Sequence, residues 1–322
     1  MKRLMVVAAL LSPLLAAGCS IRPTIDGLSG TPHTYAVVQR IRCETRDALA
    51  ALLGERLRRS NMPELAEVLT RTKQFDFSLV PRLDPDTRQV FETYGGATIG
   101  YQFDFEMAEV NNAGVGVGLT FPMVRGPLNL PLSASNNRER SNTRSFRILD
   151  RVRELLTTMK PEFCDSHGHS RPDYMYPITG QIGMEDQIRL FYSLTQSANL
   201  AGNNNRVPTL SETLEFTTKI SAAAKPRIEL ARLGNGAQFS GASGDFEGRR
   251  EDIHKVIIVM TLPPDPAAWS PSITERRGAA ALELRRSLAA SGAIDELNRQ
   301  QDLQSSGNTR RLLRSIDRSL SR

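Results

Sequence analysis

Gly114-Val115-Gly116-Val117-Gly118-Leu119-Thr120-Phe121 sets small or polar residues against apolar ones in strict alternation over eight positions. A period of two marks a strand, because successive side chains point to opposite faces of a sheet. The glycines strip one face of side chains, so another backbone or an apolar ligand can approach it closely. The run continues into Pro122 without a helix. It therefore lacks the strand-to-helix turn whose amides cradle a phosphate, and nucleotide binding is not its reading.

Outward from this strand the same period recurs. Tyr101-Gln102-Phe103-Asp104-Phe105 alternates, as does Leu128 to Ser133 through Leu128, Leu130 and Leu132. Asp76 to Pro81 and Gln89 to Tyr94 are short runs bounded by Pro and Gly and are read as strands. Asn136 to Asn142 is a polar loop, Arg144 to Leu149 a further strand, and Asp150 to Leu156 a helix. Upstream, Tyr35 to Arg59 repeats apolar residues at three- and four-residue steps (Ile41, Ala48, Leu49, Leu52, Leu53, Leu57), the stripe of an amphipathic helix. Asn61-Met62-Pro63-Glu64 marks the next helix start, with Asn61 as cap.

The second half repeats this order. Ile182 to Leu194 is helical; Thr213 to Ile220, Pro226 to Arg232, Gln238 to Ser243 and Ile253 to Leu262 are strands, with a polar loop from Gly244 to Asp252. Ser133 to Ser135 corresponds to Ser240 to Ser243, and Arg138-Glu139-Arg140 to Arg249-Arg250-Glu251, at an offset of about 110 residues. The expectation is an α+β protein with two antiparallel β units, suggestive of an internal duplication, their associated helices, and a helical C-terminal tail. Hairpins with polar loops that merely look alike are the competing account. The expected divisions are 1–18, 19–34, 35–165, 166–265 and 266–322. The last holds Ala279 to Ala290, a link without apolar period from Gln300 to Asn308, and a basic helix from Arg310 to Leu320.

The N-terminus carries an address. Lys2 and Arg3 precede a mostly apolar run to Leu15, which ends in Ala16-Ala17-Gly18-Cys19. A basic start, a dozen apolar residues and small residues before a cysteine form a secretory signal too short to span a bilayer. With Cys19 next, it resembles the lipobox of bacterial lipoproteins. The resemblance implies a diacylglyceryl group on Cys19, cleavage before it, and acylation of the new amino end. Ser20 is not the Asp that tends to retain such proteins at the inner membrane. The expected location is the outer membrane, lipid-anchored and facing the periplasm. Residues 20–34, rich in Gly, Pro, Ser and Thr, read as a flexible tether.

Removal of Lys2 and Arg3 lowers the formal charge of +6 to +4 (39 basic against 35 acidic residues). So mild an excess on an exported chain excludes nucleic acid as the expected partner and favours membrane lipid and an envelope protein. Two cysteines remain, Cys43 and Cys164, and an oxidising compartment favours a bridge between them over two unrelated buried thiols.

Three places carry residue types suited to chemistry. His167 and His169 beside Cys164 and Asp165 could bind a metal, but no second cluster completes the ligands, and a bridged Cys164 would withdraw its sulfur. A surface loop is the simpler reading, and no metal or cofactor beyond the lipid is expected. Ser243 and His254 could serve an envelope hydrolase, although Gly241-Ala242-Ser243-Gly244 lacks the full nucleophile elbow. Arg310, Arg311, Arg314 and Arg318 could rest on an anionic membrane surface, or face solvent from a docked helix. The expected role is a non-enzymatic binding or scaffold component of the bacterial envelope, with the hydrolase as alternative. A transmembrane barrel is disfavoured by many helical stretches and few strands.

Overall fold

Thirteen positions of the helix α1 (Thr34–Arg59) are buried, among them Ile41, Ala48, Leu49, Leu53 and Leu57, so the apolar stripe read in the sequence is a core face. The computed structural model describes residues 34–121, 127–165, 181–201, 207–228, 238–263 and 279–320. In chain order α1 is followed by α2 (Pro63–Thr72), a 3₁₀ turn (Phe77–Arg82), α3 (Pro85–Gly95), β1 (Thr98–Phe121), β2 (Leu128–Arg151), α4 (Val152–Thr157), α5 (Pro161–Asp165), α6 (Met184–Ser197), β3 (Thr209–Ala224), β4 (Arg227–Ile228), β5 (Gln238–Thr261) and α7 (Ala279–Leu320). This is the expected α+β fold. The two β units are hairpins of one antiparallel sheet, in the order β2-β1-β5-β3, with β4 paired antiparallel to β5. Leu128 to Gln238 and Arg151 to Thr261 are each 110 positions apart, so β5 repeats β2 in length and offset.

Several local expectations are corrected. Asp76 to Pro81 and Gln89 to Tyr94 are not strands: the first overlaps the 3₁₀ turn and the second lies in α3. Asp76 and Asp84 cap these turns, accepting the Ser78 and Thr87 N–H at 2.9 and 3.0 Å, and Pro85 occupies the first turn of α3. Proline with a fixed φ and a carboxylate cap start a helix more strongly than a short apolar run specifies a strand. The α2 cap is Met62, not Asn61, which takes a left-handed φ of 60° in the turn before it. The polar loops at 136–142 and 244–252 are strand, and 300–308 is helix.

Contact within the chain divides it into two units, each drawing on both sequence halves. The helical unit comprises, among the described residues, 34–105, 144–216 and 254–320 apart from the gaps already given. Here one face of the sheet carries Tyr101, Phe103 and Phe105, all 1% exposed or less, with Phe146 stacked on Phe103 at 4.9 Å. Tyr101 donates to Thr45 Oγ1 of α1 at 2.9 Å, which itself donates to the Ile41 carbonyl. Burial drives the Tyr101 phenol far above its ordinary pKa, so it stays a neutral donor. The opposite face, with Ile257 and Val259, buries Ala293 and Leu297 of α7. Gly100 permits that approach: a Cβ there would lie 3.0 Å from Leu297 Cδ1. Helices thus cover both faces of this part of the sheet.

Glu44 joins α1 to α6 without sharing a turn with it. Its carboxylate accepts the N–H groups of Ile182, Gly183 and Met184 at 3.1, 2.8 and 2.9 Å, and Gly183 supplies the positive φ of 86° that aims them. These are the orphan donors of the α6 N-terminus, where a negative charge also meets the favourable end of the helix dipole. Glu44→Ala is expected to cost about 1–2 kcal/mol, the value of a lost cap, read as a lower urea midpoint with unchanged slope.

Candidate interaction surface

The strand unit contains, among the described residues, Glu106–Thr143 and Thr217–Ile253 apart from the gaps already given. Its side chains sort by parity. A Cβ on Gly116 would lie 2.9 Å from Ser243 Oγ, and one on Gly114 would lie 3.7 Å from Asp245 Cβ. Even positions of β1 and odd positions of β5 therefore share a face of small and polar groups, and Thr120 donates to Asn129 of β2 on that same face. The other face carries Val115 of β1, Leu128, Leu130 and Leu132 of β2, Phe246 of β5 and Ile220 of β3. All six are exposed, Val115 and Leu132 by 53% and 51%.

Nothing among the described residues covers either face at the far end of this unit. Every residue of β2 from Leu128 to Glu139 is exposed, odd and even alike, and so is every residue of β3 from Lys219 to Ala224. A strand with one buried face shows alternating burial, and β1 in the helical unit, covered on both faces, is buried at nearly every position. Twelve consecutive exposed positions make a single sheet layer, solvated on both sides.

Further along this unit an ion-pair ladder runs across three strands. Arg140 of β2 meets Glu109 of β1 at 3.4 Å; Glu109 meets Arg250 of β5 at 3.4 Å; Arg250 Nε meets Asp252 Oδ2 at 2.9 Å. Asp252 and Arg250 are almost out of solvent, with side chains 4% and 12% exposed. The charged segments Arg138-Glu139-Arg140 and Arg249-Arg250-Glu251, which read as loops, are thus strand segments whose charges are matched across the sheet. A signal existed: both place Arg beside Glu at the same offset. Lys219 and Glu251 add a pair at 2.9 Å between β3 and β5.

Cys43 of α1 and Cys164 of α5 form the expected disulfide, with Cα atoms 5.7 Å apart. Beside it lies a cavity of about 400 Å³ in the helical unit, lined by Arg42, Asp150, Lys160 and Phe163 among others. Arg42 holds Asp150 in a two-pronged contact of 2.8 and 2.6 Å, and this hydrogen bonding raises the guanidinium pKa further against the effect of burial. Sequence reading passed over this pair, since Arg42 and Asp150 stand 108 positions apart.

Ser243 and His254 are not brought together as a nucleophile and base. Both lie on β5, eleven positions apart, about 35 Å of extended strand and on opposite faces by parity. Ser243 is exposed, whereas His254 is buried with its ring 4.9 Å from Phe105. Cys19, His167 and His169 lie outside the described residues. Arg310, Arg311, Arg314 and Arg318 belong to α7. Among the described residues no group of three or more His, Cys, Asp or Glu is placed to hold a metal ion, and no helix is long and apolar enough to cross a membrane.

Comparison with known proteins gives a family. A family model described as uncharacterised protein y4kA matches residues 22–310. Uncharacterized protein y4kA of Sinorhizobium fredii is 32% identical over 267 residues, which cover 78% of this chain and 81% of that protein. Solved structures with some likeness include the ETEC pilotin–secretin AspS–GspD complex, at 9% identity and a TM-score of 0.23 over 63% of this chain and 56% of that one. The secretin InvG of the Salmonella SPI-1 injectisome is matched at 8% identity and a TM-score of 0.18, over 61% and 67%. The chain spans little more than half of the first secretin's length, and scores this low establish no shared fold. The match along nearly the whole sequence is decisive instead: the chain belongs to the y4kA family.

Proposed function

We propose that the chain is a non-enzymatic binding or scaffold component of the bacterial envelope, held by a lipid on Cys19 at the outer membrane and facing the periplasm. The observation that carries the reading is the strand unit, an amphipathic sheet with a long segment exposed on both faces. Monomeric soluble proteins rarely leave contiguous apolar surface of this kind open, and where it occurs it marks an interaction site. The Cys43–Cys164 bridge supports an oxidising compartment, and the sequence Leu15 to Cys19 supports the anchor. Membrane lipid at the anchor and an envelope protein at the sheet are then the partners. The separation of Ser243 from His254 removes the pair on which a hydrolase reading rested.

Peptide masses from protein extracted from its own membranes test the proposal. A Cys19 N-terminal peptide carrying diacylglyceryl and acyl mass is expected. An unmodified Cys19, or a mature end at another residue, would remove the anchor. In the same strain, Ser243→Ala and His254→Ala are expected to leave any loss-of-function phenotype unprovoked, whereas Leu130→Asp with Leu132→Asp is expected to provoke it.

A further inference from the structure

We propose that copies of this chain join edge to edge: the Leu128–Glu139 segment of β2 in one copy pairs antiparallel with the Lys219–Ala224 end of β3 in the next, so that the sheets close into a ring. This names a partner for the interaction surface proposed above and rests on that reading of the strand unit.

The backbone supplies the first reason. In the order β2-β1-β5-β3 the outer strands are β2 and β3, and among the described residues neither pairs with a strand on its outer side. An outer strand presents a row of amide and carbonyl groups, a template for another strand. Soluble proteins keep such edges short or cover them, whereas β2 is 24 residues long and solvated on both faces from Leu128 to Glu139. Pro131 removes a single donor from that segment and is a residue that sheets tolerate only at edges.

Direction and chemistry select a second copy. β1 and β2 form one antiparallel hairpin, and β3 and β5 the other, so β2 and β3 run in opposite senses. β2 of one molecule beside β3 of another therefore continues the antiparallel pattern without inversion. Parity continues as well: the apolar positions Leu128, Leu130 and Leu132 of β2 lie on the same face as Ile220 of β3. The charges do not oppose the contact: within the two segments Arg138 is balanced by Glu139 in β2, and Lys219 of β3 is paired with Glu251 of its own sheet. The two edges differ from each other, so the contact is head-to-tail, and a head-to-tail contact repeats from copy to copy and ends in a ring where the rotation between copies closes. Closure abolishes both edges and gives the far end of the joined sheet one apolar face, bounded by the ion-pair ladder, and one small, polar face, the pattern of a barrel wall. Few strands per chain are no obstacle when each copy contributes four.

Cross-linking in native membranes distinguishes the outcomes. Ser133→Cys in β2 and Ser221→Cys in β3 place thiols on the small, polar face of each edge, both at exposed positions. With a short bismaleimide, the full-length double variant is expected to give a ladder of dimer, trimer and larger species. Co-expressed single variants are expected to stop at dimer, and each single variant alone, like the unaltered chain, to give none. Retention of the Cys43–Cys164 bridge on non-reducing gels verifies the fold of each variant. A double variant that stays monomeric overturns the proposal, as does a dimer from Ser133→Cys alone, which would pair β2 with itself. Cross-linking to a foreign protein would give the edges to another partner and overturns it too. The anchored-scaffold reading has a separate readout: a ladder with an unlipidated Cys19 leaves assembly standing without the anchor, and a lipidated chain without a ladder leaves the anchor standing with a different partner.

Discussion

Replacing Cys43 by serine is expected to lower the unfolding free energy by about 4–5 kcal/mol, the chain-entropy value for a loop of this size. The bridge spans 121 positions of sequence, from the buried helix α1 to the short helix α5. Its effect falls on the unfolded chain, which loses the freedom to separate these two points. The folded chain keeps other ties from α1: Gln39 donates to the Phe163 carbonyl of α5, Arg42 grips Asp150 of β2, and Glu44 caps α6. A stable but weakened protein is the expected result, with the native spectrum retained and the urea midpoint reduced. Unaltered protein in reductant should then match Cys43→Ser in oxidising buffer. If the reduced and oxidised proteins unfold at one midpoint, the bridge contributes nothing and the entropic account fails.

Sequence patterning carried the parts of this fold in which one face is buried. The α1 stripe, the Tyr101-Phe103-Phe105 alternation and the helix with Ile188 and Phe191 were legible because burial on one side imposes a period. The 110-residue offset was legible from the matching Ser-rich and Arg/Glu segments, and β2 and β5 realise it in length. Two kinds of region escaped. Where the sheet is solvated on both faces no period is needed, so Asn136 to Asn142 and Gly244 to Asp252 looked like loops although their charges are matched across strands. Where helix caps rather than apolar spacing decide, as at Asp84-Pro85, a short apolar run misled. The candidate surface was visible in outline as a glycine-stripped strand. Its two open edges were not, because strand order depends on pairing between residues more than a hundred positions apart. The disulfide followed from counting cysteines; the Arg42–Asp150 contact could not, since neither residue belongs to a small set.

Phe103→Ala is expected to cost about 3–5 kcal/mol, the range for deleting a fully buried aromatic ring. Phe103 is 0% exposed and sits between Tyr101, Phe105 and Phe146, at ring separations of 6.2, 6.0 and 4.9 Å. Its neighbours are held by the sheet backbone and by α1, so little collapse into the vacated space is available and most of the cavity cost remains. Phe246→Ala removes the same ring from the strand unit, where the residue is 47% exposed. There the unfolding free energy of the separated chain should shift by no more than about 0.5 kcal/mol, the usual limit for surface positions. The comparison assigns each unit its work. If the helical unit alone sustains the folded monomer, Phe103→Ala will cost at least about six times as much stability as Phe246→Ala. If Phe246→Ala instead destabilises the isolated chain as strongly as Phe103→Ala, the strand unit buries its apolar face within one molecule, and the case for an intermolecular surface falls with it.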